Sequence, residues 1–293
     1  MINPKLFLRC FLLPALLLVV TVETAHAVTL GADDFESYIA GSNLHGGAGG
    51  TDWSGPWAAH QGATTSHTTV QTKTLVDPNG NVSGGTQAAR FQPTSNLGDI
   101  GSFLSRPFAS TTDTVYVGML LRAEVMDNGD FIIFQVSNGA TGNTTATMGF
   151  GLRNQTNNPL FARVGSSGSG QTTNSSTNAT ANTDFLLVAK FSKDGSANYN
   201  RTDLYINPSL TEPAVADATA ISGVTGINTL SLFNIRHFNP ESGDRIFIDS
   251  LNISTTYAEA LGIADNVIPE PATCVLGLLG ATLLVARRRR VGG

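Results

Sequence analysis

The chain has 293 residues, of which 13% are charged and 41% are hydrophobic, and 31 of them are glycine. The low charged fraction excludes a long coiled coil, and the hydrophobic fraction excludes global disorder. Between residues 28 and 268, 20 Asp and Glu outnumber 11 Lys and Arg, a net charge of −9, so composition indicates no basic patch for nucleic acid. Cys10 and Cys274 lie outside that range, which excludes a disulfide framework or a zinc–thiolate site within it.

Residues 1–27 have the three parts of a secretory signal peptide. Two basic residues precede an apolar run at 11–22, and Ala25 and Ala27 place small side chains where signal peptidase requires them. The apolar run has 12 residues, which is too short to span a bilayer. We therefore expect cleavage after Ala27 and export of the remaining chain.

The C-terminal segment, 269–293, combines an extended motif, an apolar run and a basic end. The apolar run at 272–286 would form a helix rising about 23 Å, shorter than a hydrocarbon core of about 30 Å. It predicts a short transmembrane helix, whose basic end acts as a stop-transfer signal and stays in the cytoplasm. The motif is Pro269, Glu270 and Pro271, and the basic end is Arg287, Arg288, Arg289 and Arg290.

The order and spacing of these residues resemble the PEP-CTERM sorting domain, which exosortases process in Gram-negative bacteria. The resemblance implies transient anchoring in the inner membrane and cleavage near the Pro-Glu-Pro triplet. It also implies transfer to the cell surface or the extracellular matrix. An exosortase, signal peptidase and the inner membrane would then be partners. The alternative is an ordinary single-pass anchor that stays attached.

Residues 28–262 predict one all-β domain, followed by a linker at 263–268. Apolar and polar residues alternate most clearly at 114–124, which is typical of a strand. A short helix is predicted at 257–261, and 165–184 predicts a long mobile loop because it contains almost nothing to bury. About a dozen short strands without helical crossovers predict a two-sheet antiparallel β-sandwich. The predicted strands are 32–38, 68–75, 87–91, 102–108, 114–124, 131–136, 146–152, 160–164, 185–191, 202–206, 229–236 and 245–253.

Three segments of this domain resemble the concanavalin A/laminin-G-like jelly rolls of bacterial surface proteins. They are 34–57, which contains the sequence Trp53-Ser54-Gly55-Pro56-Trp57, then 185–213 and 245–260. The resemblance implies a jelly roll whose first and last strands pair.

Candidate catalytic residues are few. A sandwich glycosidase needs two carboxylates facing each other, and sandwich glucanases arrange theirs as Glu-x-Asp-x-x-Glu. The predicted domain has five Glu, and none lies in that pattern. No Gly-x-Ser-x-Gly elbow lies between a strand and a helix. We therefore predict a protein that is not an enzyme, with a structural or interaction role, and a glycoside hydrolase is the less favoured alternative.

Candidate binding residues support a second alternative, a lectin-like module that binds an exopolysaccharide or another glycan. Trp53 and Trp57 could stack on a sugar ring, although aromatic residues beside a glycine turn more often close the end of a sandwich. Asp127 and Asp130 resemble half of a calcium loop, although a hairpin turn demands the same residues. We therefore predict no cofactor, with calcium as the alternative.

The four histidines of the domain lack metal-ligand spacing and are predicted in loops or on the surface: His45, His60, His67 and His237.

Overall fold

The computed structural model describes residues 27–60, 67–93, 102–126, 129–139, 147–154, 158–165, 170–223 and 225–263. Within these ranges, no helix is both long enough and apolar enough to cross a membrane. The predicted signal peptide except Ala27, the Pro-Glu-Pro motif, the apolar run after it and the four C-terminal arginines lie outside the described residues, as does Asp127.

The described residues are almost entirely β-structure, as the short alternating runs predict. They form strands β1 (Thr29–Asp33), β2 (Ala58–His60), β3 (Thr68–Thr72), β4 (Gln87–Phe91), β5 (Ser102–Thr111), β6 (Val115–Val125), β7 (Phe131–Ser137), β8 (Met148–Arg153), β9 (Pro159–Val164), β10 (Gln171–Asn178), β11 (Asp184–Ser192), β12 (Arg201–Ile206), β13 (Ala218–Ile221), β14 (Leu230–Phe238) and β15 (Arg245–Ser254), and helix α1 (Tyr257–Ala260).

Two antiparallel sheets form the domain, which confirms the predicted two-sheet architecture. The eight-stranded sheet has the order β13-β12-β11-β6-β15-β4-β3, with β1 also pairing with β15. The seven-stranded sheet has the order β10-β9-β8-β7-β14-β5-β2. Ala32 lies opposite Asn252, so the first and last strands pair as predicted.

The core lies between the two sheets and is filled by alternate residues of each strand. Phe134 contacts Phe150 with a ring-centroid distance of 5.5 Å, and Phe150 contacts Phe191 of the opposite sheet at 6.3 Å. A second apolar cluster lies on the outer face of the eight-stranded sheet, beneath α1. In this cluster the ring of Tyr257 packs edge-on against Tyr116 and Tyr205, with both centroid distances 6.1 Å.

The predicted loop at 165–184 is wrong in its central part. Residues 171–178 form β10, an edge strand in which Thr172 lies opposite Arg163 of β9. Threonine favours extended backbone, and an edge strand with one exposed side needs little apolar surface. The prediction was wrong because it considered only how much apolar surface the segment could bury.

Three other features differ from the prediction. The first strand ends at Asp33 because Phe35 adopts a left-handed conformation, with φ of 59°, and turns the chain. Two short strands, β2 and β13, have too few residues for the alternation to be recognised. His237 lies in β14 and is 2% exposed, so its predicted place in a loop or on the surface is wrong. His67 lies in the loop before β3, as predicted, but is only 4% exposed.

Candidate functional site

The outer face of the seven-stranded sheet carries polar and aromatic side chains that the core does not use. In β7, residues 132, 134 and 136 belong to the core, so Phe131, Ile133 and Gln135 point to the opposite side. The same alternation places Asn234 and Arg236 of β14 outward. Sequence reasoning did not single out any of these residues, because alternation shows which face a residue occupies but not which strands are neighbours.

The strand register brings these outward residues into two rows across the sheet. In the first row, Gln135 lies between Asn234 and Gly149, and Gly149 lies opposite Arg163. The second row is Phe103, Arg236, Ile133, Gly151 and Phe161, and Arg153 follows one step further along β8, opposite Phe131. We call this surface the arginine face; its members are Phe103, Phe131, Gln135, Arg153, Phe161, Arg163, Asn234, Arg236 and Phe238.

Aromatic rings hold the guanidinium groups of this face in place. The guanidinium carbon of Arg236 lies 5.2 Å from the centroid of Phe103 and 5.1 Å from those of Phe131 and Phe238. The guanidinium carbon of Arg153 lies 5.0 Å from the centroid of Phe161. Ring faces attract cations, so these contacts orient the guanidinium groups without neutralising them.

The arginines of this face have no acidic partner among the described residues. The seven strands contain no Asp or Glu, and Arg153, Arg163 and Arg236 form no ion pair with any described residue. The Nε atoms of Arg163 and Arg236 are buried without a hydrogen-bond partner. Burial and, to a smaller extent, the charge of Arg163 together lower the pKa of Arg236 to about 10, so Arg236 stays cationic at neutral pH. Three arginines thus lie on one face of this sheet, although the domain as a whole has a net negative charge.

Two glycines, Gly149 and Gly151, form the floor between these side chains. A Cβ atom at Gly151 would lie 2.0 Å from the carbonyl oxygen of Ile132, and one at Gly149 would lie 2.6 Å from that of Phe134. Both glycines are buried, and a Cβ at Gly149 would also lie 3.0 Å from Cγ1 of Ile133, so the sheet is closely packed at these positions.

Replacing Gly151 by alanine should therefore destabilise the domain. The added methyl group has no space and would force β7 and β8 apart, at a cost of about 1–3 kcal/mol. Gly223→Ala is the matched control, because nothing lies within 4 Å of the position that its Cβ would occupy. Chemical denaturation monitored by circular dichroism should show the loss for Gly151→Ala only. Equal stability of the two variants would contradict the packing described.

A partly exposed aromatic pair lies at one end of the arginine face. The rings of Phe131 and Phe238 are stacked, with a centroid distance of 4.8 Å and an interplanar angle of 11°. Both residues are only partly buried, whereas Phe103 and Phe161 are 3% and 1% exposed. The pair offers the apolar contact surface that sequence analysis had assigned to the two tryptophans.

The two tryptophans form no open stacking platform. Trp57 is 1% exposed, and its Nε1 donates a hydrogen bond of 3.2 Å to Asp33. The ring of Trp53 covers Gly31, where a Cβ would lie 2.8 Å from it, and its Nε1 donates to the carbonyl of Ala32. Both rings pack on the guanidinium of Arg106, at 4.7 Å for Trp53 and 5.5 Å for Trp57. Both rings therefore pack within the fold, and Trp57 is not accessible for stacking on a sugar.

A buried ion pair joins the two sheets beneath these tryptophans. Arg106 of β5 donates from Nη1 to Oδ2 of Asp33 in β1 at 2.7 Å, and the two side chains are 2% and 0% exposed. The same guanidinium donates to the carbonyls of Gly49, at 2.6 Å, and Gly55, at 3.0 Å. Burial raises the pKa of Asp33, although hydrogen bonds from Tyr38 and Trp57 and the charge of Arg106 lower it. The guanidinium of Arg106 donates its hydrogen bonds to groups within the domain, so this cluster is not available to a ligand.

An acidic pocket lies beside β15, with Asp33 and Asp34 among its lining residues. Asp249, next to this pocket, is fully buried, and its Oδ2 has no hydrogen-bond partner. The pKa of Asp249 is raised to about 8, mainly by burial. The charges of Glu36, Asp34 and Asp33 also raise this pKa, whereas the hydrogen bond from the backbone N–H of Ser250 lowers it. At neutral pH this carboxyl group is therefore mostly protonated.

The calcium candidates and the buried histidines form no site among the described residues. Asp130 is 1% exposed, and its Oδ1 accepts a hydrogen bond of 2.9 Å from Asn239. No group of three or more metal-ligating side chains occurs in the described part of the chain. Burial, with a contribution from His67, lowers the pKa of His237 to about 3, so this ring is neutral.

Comparison with known proteins gave matches to solved structures only. No family model matches the chain, and no curated protein sequence is significantly similar to it. An endo-β-1,4-glucuronan lyase from Trichoderma reesei is 13% identical over 75% of this chain and 96% of its own, with a TM-score of 0.46. The carbohydrate-binding module CBM66 from Bacillus subtilis is 9% identical over 73% and 99%, with a TM-score of 0.40. A glycoside hydrolase family protein from Mycobacterium thermorestibile is 14% identical over 76% and 99%, with a TM-score of 0.42.

These similarities correct one prediction. The chain was predicted not to be an enzyme, yet several of the similar structures are glycoside hydrolases and one is a polysaccharide lyase. That prediction is not retained.

Proposed function

We propose that the chain is an exported jelly-roll protein of the concanavalin A-like type that binds an extracellular glycan on the arginine face. The observation that carries the proposal is the combination, on one face, of a stacked and partly exposed phenylalanine pair with the amides Gln135 and Asn234. Amides donate and accept hydrogen bonds, as sugar hydroxyls require, and aromatic rings supply apolar contact. Glycan sites combine these two features with a few oriented charges.

The two amides are held in position by the sheet itself. Gln135 and Asn234 are paired across β7 and β14, and both are buried, at 6% and 3% exposure. The Nδ2 of Asn234 donates to Oγ of Ser137 at 3.3 Å, and the Nε2 of Gln135 donates to Oγ1 of Thr147 at 2.8 Å. These hydrogen bonds fix the orientation of both amide groups.

A glycan array tests this proposal. The full chain, purified in a non-ionic detergent, should bind at least one class of polysaccharide, with and without a calcium chelator. Phe131→Ala should reduce that binding, because it removes half of the stacked pair. Leu210→Ala, at a 49% exposed position outside the face, should not. If no glycan binds, or if both variants bind equally well, the proposal fails.

We also propose, on sequence alone, that the chain reaches the cell surface or matrix through processing by an exosortase. An extended Pro-Glu-Pro triplet before a short apolar run and four arginines gives a protease a stiff segment at the membrane surface. Glu270 is the only charge in that segment and thus the natural contact for the enzyme.

Replacing Glu270 by alanine should slow processing without affecting export. The signal peptide and the stop-transfer arginines are unchanged, so the protein should accumulate in the membrane fraction at higher apparent mass. Western blots of membrane and released fractions, from a host that has the processing enzyme, measure this. Release at the wild-type rate and size would indicate a plain anchor.

A further inference from the structure

A groove of about 560 Å³ is lined by residues of β11, of β12, of the turn between these strands and of the loop after β12. We infer that this groove binds a neutral oligosaccharide, at a site separate from the arginine face, which belongs to the other sheet. Its volume falls within the range of about 300–1,000 Å³ that is usual for small-molecule sites. The inference does not rest on the proposed function.

The floor of the groove consists of outward-pointing residues of the eight-stranded sheet. Tyr205 of β12 belongs to the apolar cluster on the outer face, so alternation places Asp203 and Arg201 on the same face. In β11, Lys190 lies opposite Asp203, and Ser192 lies opposite Arg201. The four-residue step from Tyr205 to Arg201 covers about 13 Å of strand, which is longer than one sugar ring.

The loop after β12 forms a wall of the groove and is held in place by side-chain hydrogen bonds. Oε1 of Glu212 accepts hydrogen bonds from Nζ of Lys190, at 2.8 Å, and from the hydroxyl of Tyr205, at 3.1 Å. Its Oε2 accepts a hydrogen bond of 3.0 Å from the hydroxyl of Tyr116. The first residue of α1 also holds this loop, because its hydroxyl donates to the carbonyl of Ser209 at 2.7 Å. A groove fixed in this way loses little entropy when a ligand binds.

Donors and acceptors lie side by side in the accessible part of the groove. Arg201 donates from Nε to Asp203 at 2.8 Å and from Nη1 to Asp194 at 3.2 Å. A guanidinium carries five N–H donors, and these two bonds use only two of them. The side chains of Arg201 and Asp194 are 36% and 50% exposed, so both can contact a ligand while their ion pair stays intact. Ser192 is partly exposed and adds a hydroxyl beside Arg201.

The balance of charge in the groove favours a neutral ligand. Its lining includes three cationic and three acidic side chains, which are Lys190, Lys193, Arg201, Asp194, Asp203 and Glu212. An anionic ligand would meet the exposed carboxylate of Asp194, and a cationic ligand would meet the guanidinium of Arg201. A sugar hydroxyl accepts a hydrogen bond from a cation and donates one to a carboxylate, so a neutral sugar matches both. The length of the floor favours an oligosaccharide over a single ring.

Binding of neutral tetrasaccharides tests this inference. The probes are cellotetraose, xylotetraose and maltotetraose, and the charged controls are tetramers of glucosamine and of glucuronate with the linkage of cellotetraose. The full chain, in a non-ionic detergent without a sugar headgroup, should bind at least one neutral probe in isothermal titration. Its affinity for that probe should change less than roughly twofold with added salt, because the ligand carries no charge. Both charged tetramers should bind more weakly.

Variants at two exposed positions locate the binding. Arg201→Met and Asp194→Ala should each reduce affinity for the neutral probe about fivefold, because each removes hydrogen-bonding groups from the groove. Arg245→Met is the matched control, since it removes an arginine from a 45% exposed position on the same sheet, outside the groove. It should change affinity less than twofold. The two groove positions are exposed, so these variants should fold, and if one of them does not, the other still tests the inference.

The outcomes separate this inference from the proposed function. If none of the neutral probes binds, if a charged tetramer binds more tightly, or if Arg245→Met causes an equal loss, the inference fails. A loss in Phe131→Ala without a loss in the two groove variants would assign binding to the arginine face, which overturns the inference and supports the proposed function. Loss in the groove variants alone would support the inference, and the glycan array would still decide the proposed function.

Discussion

Replacing Arg106 by methionine should lower the free energy of unfolding by about 3–5 kcal/mol, because it leaves a buried carboxylate without its cation. Methionine approximately keeps the volume of the side chain but none of its donors. Asp33 would lose its ion pair, and the carbonyls of Gly49 and Gly55 would lose their buried partner. The two tryptophans would also lose the cation beneath their rings. Chemical denaturation of the full chain measures the change.

Two further variants isolate the cause. Arg201→Met removes an arginine of similar size from an exposed position, where ion pairs contribute about 0–1 kcal/mol, and should have little effect. Adding Asp33→Asn to Arg106→Met removes the unpaired charge but keeps an acceptor for Tyr38 and Trp57. The double variant should recover part of the loss. If Arg106→Met and Arg201→Met unfold at the same denaturant concentration, the ion pair does not stabilise the fold.

Sequence alternation predicted the architecture because each strand carries its own signal. Residues 115–125 and 184–192 place apolar side chains at every second position, and they form the centre of the eight-stranded sheet. Pairing of the first and last strands followed from the resemblance to jelly rolls. The segments that were missed, such as β2 and β10, are edge strands that bury little and therefore leave a weak pattern.

The arginine face could not be predicted in the same way. Arg153, Arg163 and Arg236 are far apart in the chain, and each alone is consistent with a solvated strand position. Their significance depends on the order β9-β8-β7-β14, which brings strands from two distant parts of the chain together. One signal was available: the strands predicted at 131–136, 146–152, 160–164 and 229–236 contain no acidic residue in a domain rich in them. The net charge of the whole domain, which is negative, does not show that these four strands lack acidic residues.

Asp249 makes stability depend on pH, in the direction opposite to that of most carboxylates. Its pKa is raised to about 8 in the folded state, from an ordinary value of 3.8 in the unfolded chain. Between these values the unfolded chain releases the proton that the folded domain keeps. Folding therefore loses stability as pH rises from about 4 to about 8, by up to about 1.4 kcal/mol for each pH unit. Replacing Asp249 by asparagine, which resembles the neutral acid and does not titrate, should remove this loss.

Asp249→Asn should therefore stabilise the domain at pH 9 by about 3 kcal/mol or more and change little at pH 4. The argument depends on Oδ2, which is buried against Gly84 without a hydrogen-bond partner, so ionisation there gains nothing from the protein. Asp52→Asn removes the same charge at an exposed turn whose left-handed backbone asparagine also tolerates, and should shift stability equally at both pH values. Denaturation curves of the parent and both variants at pH 4 and pH 9 measure these changes in the free energy of unfolding. If Asp249→Asn is less stable than the parent at pH 9, the carboxylate is ionised there and has a partner, such as a cation, that neutralises it.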